Sequence, residues 1–187
     1  MMGYDSSIVI VGFMGTGKTV VGSVLAKELG VRFFDTDRLI EEAQGMLIAD
    51  IFSRDGEEVF RTMEKQTVRN VVSSAKREPC IIATGGGTVV DVENLQRLKT
   101  IGLMVCLYAD PEVIHARTVD DACRPLLPTG ETVDRLSAIV ELLAVRRPFY
   151  ESADICIDTS QHGVTSVVTS VIDHINSIES KRLNCLH

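Results

Sequence analysis

Five short apolar runs punctuate the chain: SIVIVG at 7–12, RFFDT at 32–36, CIIATG at 80–85, GLMVCLYA at 102–109 and DICIDT at 154–159. They are rich in Ile, Val and Phe with few polar interruptions, the pattern of strands covered on both faces. Between them, helical patterns run over 18–29, 37–44, 46–54, 56–76, 91–99, 111–117, 131–147 and 162–178. Strands alternating with helices predict a three-layer α/β/α fold around a five-stranded parallel sheet. One stretch breaks the rhythm. Residues 118–130, TVDDACRPLLPTG, hold two prolines, a glycine, adjacent aspartates and no period. So long an irregular connection reads as a mobile lid. The expected organisation is one domain over 1–187, with a core at about 7–175 and a frayed tail at about 178–187.

Composition narrows the class. The chain has a net charge of −7, which argues against a nucleic-acid partner, since a duplex binder shows a basic face. No apolar run reaches the roughly 20 residues of a membrane span. Five cysteines, an odd number with no C-x-x-C pair, argue against a disulfide framework or metal cage. Cys80, Cys106 and Cys156 fall in apolar runs and read as small core residues. Reduced thiols and the lack of a secretion-signal pattern near the N-terminus lead to the expectation of a cytoplasmic, monomeric protein.

The chemistry begins at GFMGTGKT, Gly12 to Thr19. It fits G-x-x-x-x-G-K-[ST] and lies between a predicted buried strand and a predicted helix, which gives a P-loop NTPase fold. Inward backbone N–H groups and the helix N-terminus make an anion cradle. Lys18 is placed to reach the β- and γ-phosphates of a nucleoside triphosphate, and the Thr19 hydroxyl to ligate Mg²⁺. The second run ends in Asp35 and Asp37, at the carboxyl end of a parallel strand where ligands sit in such sheets. Asp35 is assigned to the metal shell. Asp37 is assigned to the acceptor hydroxyl, as a base that orients it and takes its proton; a plain helix N-cap is the alternative.

Further candidates follow in order. Arg61 has Glu64 three residues on, at ion-pair spacing. The glycines Gly85, Gly86 and Gly87 follow the third run and permit close backbone approach to a ligand. Arg124 stands in the lid, with Arg117 at its root. A lid arginine over the γ-phosphate stabilises transition-state charge and excludes water. Arg146 ends a long helix, and with Arg61 suits a small acid carrying one carboxylate. Arg147 reads as solvated. The four histidines are scattered, and only His162 stands where it can border a base.

Taken in order, GFMGTGKT, DTD, Phe60-Arg61 with Glu64, TGGG, RPLL and Arg146-x-Pro148-x-Tyr150 resemble the shikimate kinase family, among the nucleoside monophosphate kinase-like P-loop proteins. The P-loop is shared by many families; the last three motifs together are far more specific. The resemblance covers about residues 7–175 and implies transfer of the ATP γ-phosphate to the 3-hydroxyl of shikimate, with Mg²⁺. It implies phosphate contacts from Gly15, Thr16, Gly17, Lys18, Thr19 and Val20, with Thr19 and, through water, Asp35 on the metal. Shikimate contacts fall to Asp37, Arg61, Gly85, Gly86, Gly87 and Arg146. Arg117 and Gln161 fall to the adenine, although SQHGVTS after the fifth run lacks a proline that often marks the family's adenine loop. Arg124 is the implied lid arginine. The rival readings are a kinase for another small acid such as gluconate, and a catalytically silent relative; Lys18, Asp37 and Arg124 are all retained. No Asn-Lys-x-Asp stretch supports a GTPase.

Overall fold

The computed structural model describes residues 6–119 and 132–184. Arg124 and most of the expected lid lie outside the described residues. The strands are β1 (Ser7–Val11), β2 (Arg32–Asp35), β3 (Cys80–Ala83), β4 (Gly102–Tyr108) and β5 (Ile155–Asp158). They form one parallel sheet in the order β2-β3-β1-β4-β5. The helices are α1 (Lys18–Leu29), α2 (Thr36–Gln44), α3 (Ile48–Ala75), α4 (Val92–Lys99), α5 (Pro111–Thr118), α6 (Thr132–Tyr150) and α7 (Val164–Asn184).

Strand alternation builds two cores. Ile8 and Ile10 of β1 face α1 and α7, packing with Val21, Leu25, Val167 and Val171. Val9 and Val11 face the other way, onto Val68 and Val72 of α3, Leu98 of α4, Ile114 of α5 and Ile139 of α6. These side chains are 6% exposed or less, and each contributes about 1.5–3 kcal/mol through burial. A third cluster stands apart: Ile40, Ile51 and Phe60, joined by Met46, Ile48, Phe52 and Met63, ties α2 to the first half of α3.

Three expectations need correction. The runs at 32–36 and 154–159 are edge strands, and β2 and β5 are only partly covered. Cys156 is therefore exposed while Cys80 and Cys106 are buried. Helices 46–54 and 56–76 join into α3, broken in geometry only at Gly56 (φ 82°, ψ 171°). A Cβ there would meet nothing within 4 Å, so the break depends on backbone freedom and not on space. At the other end of the chain, α7 runs past residue 178 to Asn184.

β1 lies between β3 and β4, so the chain leaves its two sides in opposite directions. A crevice opens at the carboxyl end of β1, the place where α/β sheets bind ligands.

Candidate active site

GFMGTGKT fills that crevice. At Gly12 the backbone has φ 137°, and a Cβ would sit 2.1 Å from the Leu107 carbonyl oxygen, so only glycine lets β1 turn this close to β4. The loop is braced from within. Thr16 Oγ1 donates to the Phe13 carbonyl at 2.8 Å, and Lys18 Nζ donates to the same oxygen at 2.7 Å. Gly17 caps α1, so the loop runs directly into a helix N-terminus.

Asp35 holds two jobs at once. Its Oδ2 accepts from Thr19 Oγ1 at 2.7 Å. Its Oδ1 accepts from the backbone N–H of Asp37 and Arg38, at 3.0 and 3.3 Å, and so caps α2. The capping alternative thus belongs to Asp35, and Asp37 is left in the first turn facing the cleft. Thr19 and Asp35 supply two neighbouring oxygen donors, and no group of three or more His, Cys, Asp and Glu gathers among the described residues. That suits Mg²⁺, which keeps several waters and substrate phosphates and takes few protein ligands.

The end of the cleft beyond Asp37 is built on glycines. A Cβ at Gly85 would lie 2.4 Å from Asp37 Oδ1, and one at Gly87 would lie 2.9 Å from Arg61 Nη1. The missing side chains are what let the Asp37 carboxylate and the Arg61 guanidinium lie against this turn. Arg61 donates to Glu57 Oε1 through Nε and Nη2, at 3.2 and 2.9 Å, and to Glu64 Oε2 through Nη1 at 3.0 Å. Burial alone would lower the Arg61 pKa, but the Glu64 charge and the Glu57 hydrogen bonds outweigh it and hold the pKa above its ordinary value. Glu64 is 1% exposed, and its other oxygen accepts from Thr88 Oγ1 at 2.8 Å.

Arg146 is also buried. It donates to the Gly86 carbonyl at 3.3 Å and lies over the Phe13 ring, 5.5 Å from its centroid. Tyr150 donates its hydroxyl to the same carbonyl. Burial pushes the Tyr150 phenol up to about 12, against the opposing pull of the Arg146 charge. At the far side, Arg117 donates to the Gly15 carbonyl at 3.3 Å, to Thr159 Oγ1 at 3.2 Å and to the Thr159 carbonyl at 2.6 Å.

These groups share one cleft of about 570 Å³. It brings together Gly15, Gly17, Lys18, Thr19, Val20, Asp35, Asp37, Arg61, Gly85, Gly86, Gly87, Arg117 and Arg146, with an apolar wall of Met14, Ile48, Phe52 and Phe60. Thr16 is buried beneath the loop. Gln161 and His162 are exposed and do not line the cleft. Arg147 is exposed and paired with Glu151. Thr88, Tyr150 and Thr159 hold the site residues in place and were given no role from sequence. Tyr150 was visible as a motif letter only; the other two are seen through partners 24 and 42 positions away.

A P-loop, an Asp, two arginines and a glycine turn in one cleft define a P-loop small-molecule kinase, an ATP-dependent phosphotransferase. A sequence profile of the shikimate kinase family matches residues 14–176. The shikimate kinase of Thermodesulfovibrio yellowstonii is 47% identical over 153 residues, covering 82% of this chain and 85% of its own. The solved structure of shikimate kinase from Acinetobacter baumannii in complex with shikimate superposes with a TM-score of 0.86 at 36% identity, over 94% of this chain and 95% of that one. A Sinorhizobium meliloti gluconokinase reaches a TM-score of 0.62 at 16% identity, over 98% of this chain and 99% of its own, a likeness of fold alone. The chain belongs to the shikimate kinase family.

Proposed function

We propose that this chain transfers the γ-phosphate of Mg·ATP to the 3-hydroxyl of shikimate, giving shikimate 3-phosphate and ADP. The observation that carries the reading is the single cleft in which the phosphate loop faces Asp37, Arg61 and Arg146, in a member of a family named for that acceptor. The acceptor O–P bond forms as the bond from the γ-phosphorus to ADP breaks, and the hydroxyl proton passes to Asp37. A positioned base of this kind contributes about 10²–10⁴-fold.

The two arginines share the acceptor. Arg146, over the Phe13 ring and bonded to Gly86, and Arg61, fixed by Glu57 and Glu64, together suit a small acid carrying one carboxylate. The loop from Gly15 to Val20 holds the phosphates, and Lys18 follows charge onto the transferred group. Thr19 and Asp35 would hold Mg²⁺, which neutralises phosphate charge when bound. Arg117 lies against the adenine. Arg124 is assigned to the γ-phosphate by the same resemblance. Gln161, exposed and outside the cleft, is a poor base contact in this arrangement.

A monomeric cytoplasmic enzyme with no nucleic-acid or membrane partner completes the reading. No helix among the described residues is long and apolar enough to cross a membrane.

The test is ADP production from Mg·ATP with shikimate, with gluconate and with no acceptor. Shikimate-dependent turnover with the other two at baseline is expected. Turnover with gluconate alone would keep the phosphate loop and remove the assignment of Arg61, Arg146 and the glycine turn.

A further inference from the structure

A second buried guanidinium lies outside the described mechanism. Arg135, one turn into α6, is 9% exposed. Its Nη2 donates to the backbone carbonyl of Thr118, and its Nε, also buried, has no hydrogen-bond partner among the described residues. An arginine stays charged at any working pH, and burying a charge without a carboxylate partner is unfavourable. The carbonyls at the C-terminus of α5 carry the negative end of a helix dipole and offset part of that cost. Thr118 is the last residue of α5.

What Arg135 holds is the turn that grips the phosphate loop. Thr118 donates its hydroxyl to the Ile114 carbonyl at 2.8 Å. Its methyl is turned onto the loop, where a Cβ at Gly15 would meet Thr118 Cγ2 at 2.9 Å. The preceding residue, Arg117, reaches the Gly15 carbonyl and Thr159. The last turn of α5 therefore touches Gly15 by both a methyl and a guanidinium, and Arg135 anchors that turn from behind.

We infer that Arg135 is a positioning residue for the nucleotide half of the site: by fixing the Thr118 carbonyl it sets Arg117 and the Thr118 methyl against the phosphate loop. The inference rests on the reading of the loop as a nucleotide site. It separates Arg135 from Arg61 and Arg146, whose surroundings belong to the acceptor half.

The test compares Arg135→Met, Arg135→Lys and Thr118→Ser with the wild type. For each, KM is measured for ATP and for shikimate separately, with calorimetric binding of a non-hydrolysable ATP analogue. Losing a hydrogen bond from a charged donor corresponds to about tenfold. Arg135→Met is expected to weaken analogue binding and raise KM for ATP by about that factor, with shikimate affinity unchanged. Arg135→Lys, which keeps a charged donor, recovers most of the loss. Thr118→Ser, which leaves the carbonyl and removes the methyl, shifts nucleotide affinity in the same direction by less, and carries the test with Arg135→Lys should Arg135→Met fail to fold. Equal losses for both ligands alongside a lower melting temperature, or a wild-type KM for ATP in the variants, would overturn the inference. If the wild-type chain itself fails to bind the analogue, the nucleotide reading falls and takes the inference with it. Analogue binding by the wild type with unchanged binding by the variants would sink the inference alone.

Discussion

Gly87→Ala should weaken the acceptor site and leave the fold slightly less stable. Gly87 has φ −102° and ψ −8°, a conformation alanine adopts freely, so the lost chain entropy of the unfolded state favours the variant by about 0.4–1 kcal/mol. The new methyl, however, would stand 2.9 and 3.0 Å from the two terminal nitrogens of Arg61 and 3.3 Å from its Cζ. Relief requires the guanidinium to retreat by roughly half an ångström to reach ordinary contact. Its bonds to Glu57 and Glu64 are already 2.9–3.2 Å, so such a retreat stretches at least one of them beyond useful length. A hydrogen bond to a charged group is worth about 1.5–3 kcal/mol. The Arg61 side chain is 28% exposed, so the lower figure applies to the fold and outweighs the entropy gain; the displaced guanidinium also loses a charge-assisted hydrogen bond of similar size to the acceptor, and shikimate affinity should fall about tenfold. Calorimetric titration of shikimate into wild type, Gly87→Ala, Arg61→Ala and the double variant checks this. If the methyl acts through Arg61, it costs almost nothing more once Arg61 is gone. Additive losses, or wild-type affinity in Gly87→Ala, would refute the reasoning.

Asp37→Asn should lower kcat by about 10²–10⁴-fold while ATP analogue binding is retained; turnover near wild type would remove the base from the mechanism. Arg146→Lys should lose shikimate affinity nearly as far as Arg146→Ala, because an ammonium does not reproduce a planar guanidinium fork held over the Phe13 ring; full rescue by lysine would reduce Arg146 to a point charge. Stability should fall in alkali. Burial lifts Cys106 from 9.0 and Tyr150 from 10.0, each to about 12. The unfolded chain therefore loses these protons first, and the fold loses stability as pH rises from about 9 to about 12, with no change from these groups below that window. Denaturant midpoints at pH 8 and pH 10.5 read the effect, and equal midpoints would contradict the burial of both groups.

The phosphate end was legible because its signals are local. Strand, glycine loop, lysine, hydroxyl and helix follow one another from Ser7 to Leu29, so spacing alone carried them. Asp35 and Asp37 were found for the same reason, but which of them caps α2 depended on side-chain rotation, and the structure gave the cap to Asp35. Arg61 with Glu64 was visible as a helical pair; that Glu64 is buried and also tied to Thr88 depends on α3 packing against the turn after β3. Cys156 was misread because an apolar run does not reveal that its strand lies at the sheet edge. Arg135 and Thr159 carry no motif at all, and their roles exist only where α5, α6 and the end of β5 converge.

The small cluster of Ile40, Ile51 and Phe60 has a consequence for how this enzyme can change. It shares no residue with the cores on the two sheet faces, and it supports Phe52 and Phe60, which form the apolar wall of the acceptor pocket. Local units of this kind open and repack at lower free energy than the whole molecule. On the proposed reading, acceptor preference is housed in a module that can be resculpted by mutation while the phosphate loop and its sheet stay in place. Selection for a new alcohol can act there without first having to preserve the entire fold at every step.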